Sequence, residues 1–186
     1  MFKQEVLFNK EECNSIIEMA TEWRQDMCHF SNGEQKVDLN IRNSSSSNIN
    51  NIDALSDIIL NKIRKYNINS LPTDCRVLKY DPGSFFRMHR DRDKFAPDRL
   101  LTLIIQLSDE NNYNGAELIV EDTIVSKKIG NLILHDSGLY HKVTNLIEGE
   151  RYVLTTWIKK ENMINNGYYK IYDCGNNKFE YKKEGI

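Results

Sequence analysis

Apolar positions along this chain follow two regimes. In the first third they recur at helical spacing. Beyond it they come in short runs broken by turn residues. Ile16, Ile17, Met19, Ala20 and Trp23 line one side of a helix predicted over 9–26. Asn9 stands ready to cap it, and Glu11 and Glu12 occupy the first turn, where the helix dipole favours carboxylates. Ile52, Leu55, Ile59, Ile63 and Tyr66, three or four apart, predict a second helix over 52–66. Between the helices, the alternation Val37-Asp38-Leu39-Asn40-Ile41 predicts a strand, and the polar run 43–48 reads as a loop or strand edge.

From residue 74 onward strand-like runs are predicted at 75–80, 100–107, 117–120, 123–127, 131–135, 141–144 and 151–158. They are separated by turn signals such as Asp81-Pro82-Gly83, Ile129-Gly130-Asn131 and Glu148-Gly149-Glu150. Strands following two helices predict a mainly β fold with flanking α-helices, an antiparallel sandwich or barrel. The polar tail 160–186, with its aromatic islands, is expected to add a last strand or hairpin. At 186 residues and 40% apolar content the chain reads as a single domain: helical support and first strands over 1–73, a core over 74–159 and the extension 160–186.

Charge narrows the choice. With 25 Lys+Arg against 27 Asp+Glu, the formal net charge is −2, which argues against nucleic acid as a partner. No apolar run approaches the ~20 residues of a membrane span, and the start lacks the pattern of a secretory leader. A cytoplasmic protein is expected, in the host cytoplasm if the Asn-, Ile- and Lys-rich usage reflects a virus. The four cysteines show no C-x-x-C spacing, so free thiols are expected rather than a zinc knuckle.

The chemistry concentrates in a few residues. In His89-Arg90-Asp91, side chains two apart in an extended segment point the same way, so an imidazole and a carboxylate can share one metal ion. Adding His141 gives two histidines and one carboxylate, the set that takes one face of Fe(II) and leaves the others open for a co-substrate and O2. Arg151 follows ten residues after His141. A guanidinium inside an apolar barrel needs a carboxylate partner, which a dicarboxylate co-substrate supplies. By the period of two, Arg151, Val153, Thr155 and Trp157 share one face: Arg151 and Thr155 are placed to grip the distal carboxylate and Trp157 to close the pocket. His135 competes with His141 as the distal ligand, since it also ends a strand-like run. The default for His135 is a core or pocket-wall histidine, and for His29 a surface one. The charged segment Arg87–Arg99 reads by default as a solvated mixed-charge loop, with a substrate-binding rim as its alternative.

Taken in order, these pieces resemble a known family. Val77-Leu78-Lys79-Tyr80, His89-Arg90-Asp91, the run 101–108, Tyr113-Asn114-Gly115-Ala116-Glu117-Leu118, His141-Lys142-Val143 and Gly149-Glu150-Arg151-Tyr152 are similar to the core of Fe(II)/2-oxoglutarate-dependent dioxygenases of the prolyl 4-hydroxylase-like branch. Weaker similarity reaches upstream through Ile41-Arg42-Asn43-Ser44-Ser45. The resemblance implies a double-stranded β-helix (jelly-roll) core, His89, Asp91 and His141 as iron ligands, and Arg151 on the C5 carboxylate of 2-oxoglutarate. It further implies Tyr80 as a donor to that co-substrate and Gln106 and Thr155 as pocket-lining residues. The implied reaction is hydroxylation of a C–H bond coupled to conversion of 2-oxoglutarate and O2 to succinate and CO2, with ascorbate as a candidate reductant. The implied substrate is a prolyl residue in a protein or peptide. Peptidyl lysine, a free amino acid or another small molecule is the alternative, and a non-catalytic jelly-roll binding module a remote one. Three departures stand out: Ala116 where a second glycine is common, Asn145 where a proline is common, and Arg151 where collagen-type enzymes carry lysine. The last weakens a collagen-like substrate. Oligomeric state is not legible.

Overall fold

The computed structural model describes residues 1–30, 33–49, 52–68, 70–160, 169–173 and 179–183, and the side chain of His29 lies outside what it describes. Two antiparallel sheets face each other. In the seven-stranded major sheet the order is Phe2–Val6, Asn131–Asp136, Arg99–Gln106, Arg151–Lys159, Thr73–Tyr80, Ser45–Asn48 and Arg24–Gln25. The five-stranded minor sheet runs Thr123–Ile124, Leu118–Val120, His141–Val143, Phe85–His89 and Arg42–Asn43. Tyr113–Gly115 and Leu146–Gly149 form a separate ribbon. This is the jelly-roll architecture that the strand pattern and the resemblance implied.

The central strands of the major sheet are buried on both faces, which is why they read as unbroken apolar runs. Leu101, Leu103 and Ile105 face the helices, packing with Cys13 and Ile16 of α1 (Lys10–Glu18) and with Leu55, Ile59 and Ile63 of α2 (Ile52–Ile63). Ile104 faces the other way and joins Leu78 and Val153 against Leu118, Val120 and Val143 of the minor sheet. α2 continues as a 3-10 turn over Arg64–Tyr66, so the predicted span 52–66 matches.

Four local expectations are corrected. The first helix ends at Glu18 rather than at 26, although its start is as predicted, with Asn9 and Glu12 forming a reciprocal capping box. Sheet pairing wins over helical periodicity there: Arg24 and Gln25 pair with Ser46 and Ser45, and Asp26 is fixed by Ser44, Ser46 and Arg42. The predicted strand 37–41 is a turn around Asp38, whose carbonyl accepts from Ile41 and Arg42 and whose carboxylate accepts from Asn40. Its alternation was misleading, because Val37 and Leu39 are exposed. The serine run forms the strand Ser45–Asn48 inside the major sheet beside Thr73–Tyr80. Serine carries no apolar strand signal, yet these hydroxyls satisfy buried Asp26. The predicted strand 123–127 is confined to Thr123–Ile124.

Phe2–Val6 and Phe85–His89 are strands the pattern did not single out. The tail carries the antiparallel pair Tyr169–Asp173 and Phe179–Lys183, the expected hairpin. Cys13, Cys28 and Cys75 are free thiols, and Cys174 lies outside the described residues. Among the described residues no helix is long and apolar enough to cross a membrane.

Gly130 docks the first strand onto this frame. Its carbonyl accepts from Leu7 and Phe8, its φ is +76°, and a Cβ there would sit 1.8 Å from the Phe8 carbonyl oxygen. Gly130→Ala is therefore expected to cost about 2 kcal/mol or more, and Leu154→Ala, at a fully buried central position, about 3 kcal/mol. Urea unfolding of the two variants checks both values. Midpoints within error of the parent would contradict this packing.

Candidate metal centre

Register places the two histidines together. His141 pairs directly with His89 across adjacent minor-sheet strands, so both imidazoles leave the same face. Their ring centroids are 4.1 Å apart. Asp91 follows His89 by two residues, and its amide and that of Arg92 both donate to the Ser137 carbonyl, at 3.0 and 2.8 Å. His89 Nε2 lies 3.8 Å from Asp91 Oδ1 and His141 Nε2 3.6 Å from Asp91 Oδ2. One ligand atom from each of the three lies within 4.8 Å of the others, a spacing that one metal ion can span.

The surroundings orient these donors. His89 Nδ1 lies 2.9 Å from the Arg87 carbonyl and His141 Nδ1 3.2 Å from the Leu139 carbonyl. An N–H at each Nδ1 leaves the Nε2 lone pair free for a metal. Thr102 donates to Asp91 Oδ2 at 2.7 Å and contacts Ser137 at 2.9 Å. Phe86 stacks on His89 at 3.5 Å. Burial, reinforced by neighbouring His141, pushes the His89 imidazole down to about 3, so it is neutral near pH 7. Burial opposes ionisation of Asp91, yet His141, His89 and the Thr102 hydroxyl hold its carboxyl below the usual range. The neutral His89 imidazole, the imidazole of His141 and an ionised Asp91 carboxylate are a donor set that suits Fe(II).

Arg151 is almost fully buried, 1% exposed, and lies opposite Tyr80 in register with its guanidinium 5.2 Å from that ring. Nη2 donates to Gln106 Oε1 at 3.0 Å, while Nε and Nη1 have no partner. A buried cation with two unpartnered nitrogens and no carboxylate is costly unless an anion completes it. Arg151, Tyr80, Val153, Thr155 and Trp157 line the same cavity as His89, Asp91 and His141, between the sheets. That shared cavity fits a ligand that reaches the metal at one end and offers a carboxylate at the other. Gln106 requires a correction: it holds Arg151 from behind instead of lining the cavity.

Several residues escaped sequence reasoning. Tyr113, part of the family resemblance but given no role there, has a buried hydroxyl without a partner beside Arg151. Thr102 and Arg76 carried no local motif, and Arg42, part of the weaker upstream resemblance, was given no role there. His135 is fully buried, 4.9 Å from the His141 ring, with its Nδ1 at the Asp136 carbonyl. It supports the centre's wall and does not join the three-residue cluster. In the charged loop Arg87, Asp93 and Lys94 are exposed as expected, and the correction is confined to Arg92, which is buried and pairs with Asp136 at 2.6 Å, tying the turn after Asp91 to the Asn131–Asp136 strand.

His89 and His135 both titrate below their unfolded value of 6.5, His135 at about 4, because burial and then His141 disfavour the charged form. As pH falls below 6.5 the unfolded chain takes up protons that the folded chain refuses, so stability falls. The metal-free protein is expected to lose about 1–3 kcal/mol between pH 6.5 and 5, before most carboxylates protonate. Chemical denaturation across that window checks the sign. Stability that stays flat or rises toward pH 5 would contradict it.

Comparison with known proteins agrees with this arrangement. Residues 75–159 match the model of the 2OG-Fe(II) oxygenase superfamily. A PKHD-type hydroxylase of Shewanella baltica is 32% identical over 90 residues, covering 44% of this chain and 40% of the relative. Another PKHD-type hydroxylase, from Rhizorhabdus wittichii, is 37% identical over 87 residues, covering 45% of this chain and 34% of the relative. The matched segments thus span less than half of these relatives. Among solved structures, a Burkholderia pseudomallei oxidoreductase of the 2OG-Fe(II) oxygenase family superposes with a TM-score of 0.66 at 14% identity, over 87% of this chain and 86% of the other. A Trichoplax adhaerens prolyl hydroxylase, in complex with a hypoxia inducible factor peptide fragment, gives 0.64 at 16% identity, over 86% and 84%. A viral collagen prolyl hydroxylase from Paramecium Bursaria Chlorella virus-1 gives 0.61 at 21% identity, over 85% and 95%. The segment 75–159, which carries the His-Asp-His cluster on a jelly-roll frame, is thus similar to the 2OG-Fe(II) oxygenase superfamily.

Proposed function

We propose that this protein hydroxylates a C–H bond of a prolyl residue in a protein or peptide, using Fe(II), 2-oxoglutarate and O2 and releasing succinate and CO2. The observation that carries the reading is the single cavity shared by the His89–Asp91–His141 cluster and the incompletely bonded Arg151. His89, Asp91 and His141 would hold Fe(II). Arg151 would bind the distal carboxylate of 2-oxoglutarate, with Tyr80 and Thr155 beside it. Bound Fe(II) and 2-oxoglutarate together supply the oxygen activation that the side chains cannot.

The chain's own residues do the rest. Gln106 fixes one edge of the Arg151 guanidinium, so its remaining N–H groups are aimed before a ligand arrives. Burial keeps the Tyr80 phenol protonated, against the pull of Arg42 and Arg151, so it can donate to a carboxylate. Leu78, Ile104, Leu118 and Val153 exclude water from the space between. The prolyl assignment draws on the prolyl hydroxylases among the structural neighbours, one of them bound to a peptide. Ascorbate would serve as the reductant that keeps iron divalent, and the cytoplasm as the site of action. Peptidyl lysine or a free amino acid would use the same centre.

Turnover tests the reading. Succinate formation should require Fe(II), stop on chelation and fall at least about a hundredfold in His141→Ala. Arg151→Gln should raise the KM for 2-oxoglutarate by at least about thirtyfold, because it removes the charge from a buried pair. Hydroxylation of a proline peptide but not of free proline supports the peptidyl substrate, and the reverse result favours the small-molecule alternative. Succinate release that ignores both substitutions would overturn the assignment.

A further inference from the structure

The metal centre opens outward into a groove. Arg42, Arg76, Phe86, His89, Asp91 and Trp157 border both the inner cavity and this groove. Arg151 and Tyr80 belong only to the inner cavity, and Arg99 only to the groove. The groove lining carries four arginines, Arg42, Arg76, Arg90 and Arg99, against two carboxylates, Asp91 and Asp93. Asp91 belongs to the metal cluster, and Asp93 accepts from the Phe95 and Ala96 amides. In a chain whose formal net charge is −2, this is a local concentration of positive charge.

These guanidiniums are not equally satisfied. Arg42 pairs with Asp26 at 2.7 Å. Among the described residues, neither Arg76 nor Arg99 has a carboxylate within salt-bridge distance. Both gather instead on Trp157, with guanidinium carbons 5.5 and 3.8 Å from its ring centroid. Trp157 is 5% exposed, and its indole N–H has no acceptor. Arg99 Nε is likewise buried without one. Burial, then Arg99 and Arg42, press on the charge of Arg76 and lower its pKa. A cation held beside like charges, with unfilled donors around it, is stabilised by an arriving anion.

From this geometry we propose that Arg76, Arg99 and the Trp157 N–H form a carboxylate subsite for the substrate, so that the hydroxylated molecule carries an anionic group beside the reacting carbon. The inference rests on the dioxygenase reading for the identity of that reaction. A carboxylate of 2-oxoglutarate is a poor candidate for this subsite. The distal carboxylate of that co-substrate is assigned to Arg151, which borders only the inner cavity, and its other end to the metal, whereas Arg99 borders only the groove. The carboxylate can come from an acidic side chain next to the target residue in a peptide, or from the α-carboxylate of a free or C-terminal amino acid.

The test is binding to the protein loaded with Mn(II) and 2-oxoglutarate. Three fluorescent peptide pools share a central proline flanked by Glu/Asp, Gln/Asn or Lys/Arg, and N-acetylproline is compared with its amide. The acidic pool, or N-acetylproline over its amide, should bind at least about tenfold tighter than the neutral counterpart. Arg76→Gln and Arg99→Gln should each erase that preference. Arg99→Glu should turn it toward the Lys/Arg pool, a gain that a misfolded protein cannot mimic. Preference in the pools alone assigns the carboxylate to an acidic side chain, and preference for N-acetylproline alone assigns it to the α-carboxylate. Equal or undetectable binding of every carboxylate probe overturns the proposal, as does a preference that survives both glutamine variants. So does Arg76→Gln weakening 2-oxoglutarate binding while the probe preference stays intact. Failure to take up 2-oxoglutarate at the loading step would instead count against the dioxygenase reading, and the pools would still report on the carboxylate subsite.

Discussion

The strand Arg151–Lys159 is buried on both faces, and everything else in the fold depends on how it divides its residues between them. Leu154 and Ile158 face the helices and join the larger apolar core. Arg151, Val153, Thr155 and Trp157 face the space between the sheets. One strand therefore anchors the core and delivers a buried cation, a hydroxyl and an indole into a cavity. A register slip of one residue would exchange the two faces, placing Arg151 in the core and Leu154 in the site. The pairings Arg151 with Tyr80 and Val153 with Gln106 hold that register.

The cavity is built from uncompensated polar groups. Arg151 keeps two nitrogens, Nε and Nη1, without partners, the Tyr113 hydroxyl has none, and Trp157 and Arg99 add further unfilled donors. A fold selected for stability alone would pair or remove such groups, because each costs about 1–3 kcal/mol when buried unsatisfied. They lie beside a carboxylate–imidazole cluster that is itself oriented by backbone carbonyls and Thr102. The stability forgone here is recovered when ligands complete the site, so the donors and the cluster are best understood as one preorganised receptor.

Much of this was legible in the sequence, for identifiable reasons. Strands buried on both faces stand out as apolar runs, and the cap at Asn9 is a local motif. His89, Asp91, His141 and Arg151 are separated by short distances along strands whose period of two sets their direction. What escaped was non-local. Arg76 gains its meaning from Trp157, eighty-one residues away in sequence, and Arg92 from Asp136. The serine strand has no hydrophobic signal, because its hydroxyls serve Asp26. Residues 20–26 keep a helical pattern, but the sheet edge captures Arg24 and Gln25. Gln106 pointed to the right neighbourhood, yet its role behind Arg151 depends on a contact no spacing reveals.

The central claim is that the metal cluster and Arg151 bind one molecule between them. Anaerobic calorimetric titration of 2-oxoglutarate, with and without one equivalent of Fe(II), tests it most directly. The account predicts one site per chain whose affinity depends on both the metal and Arg151. The Arg151 contribution should be retained when the 2-oxo group is kept and lost when the distal carboxylate is replaced by an amide. Tight binding that is indifferent to the metal, or to the distal carboxylate, would contradict it.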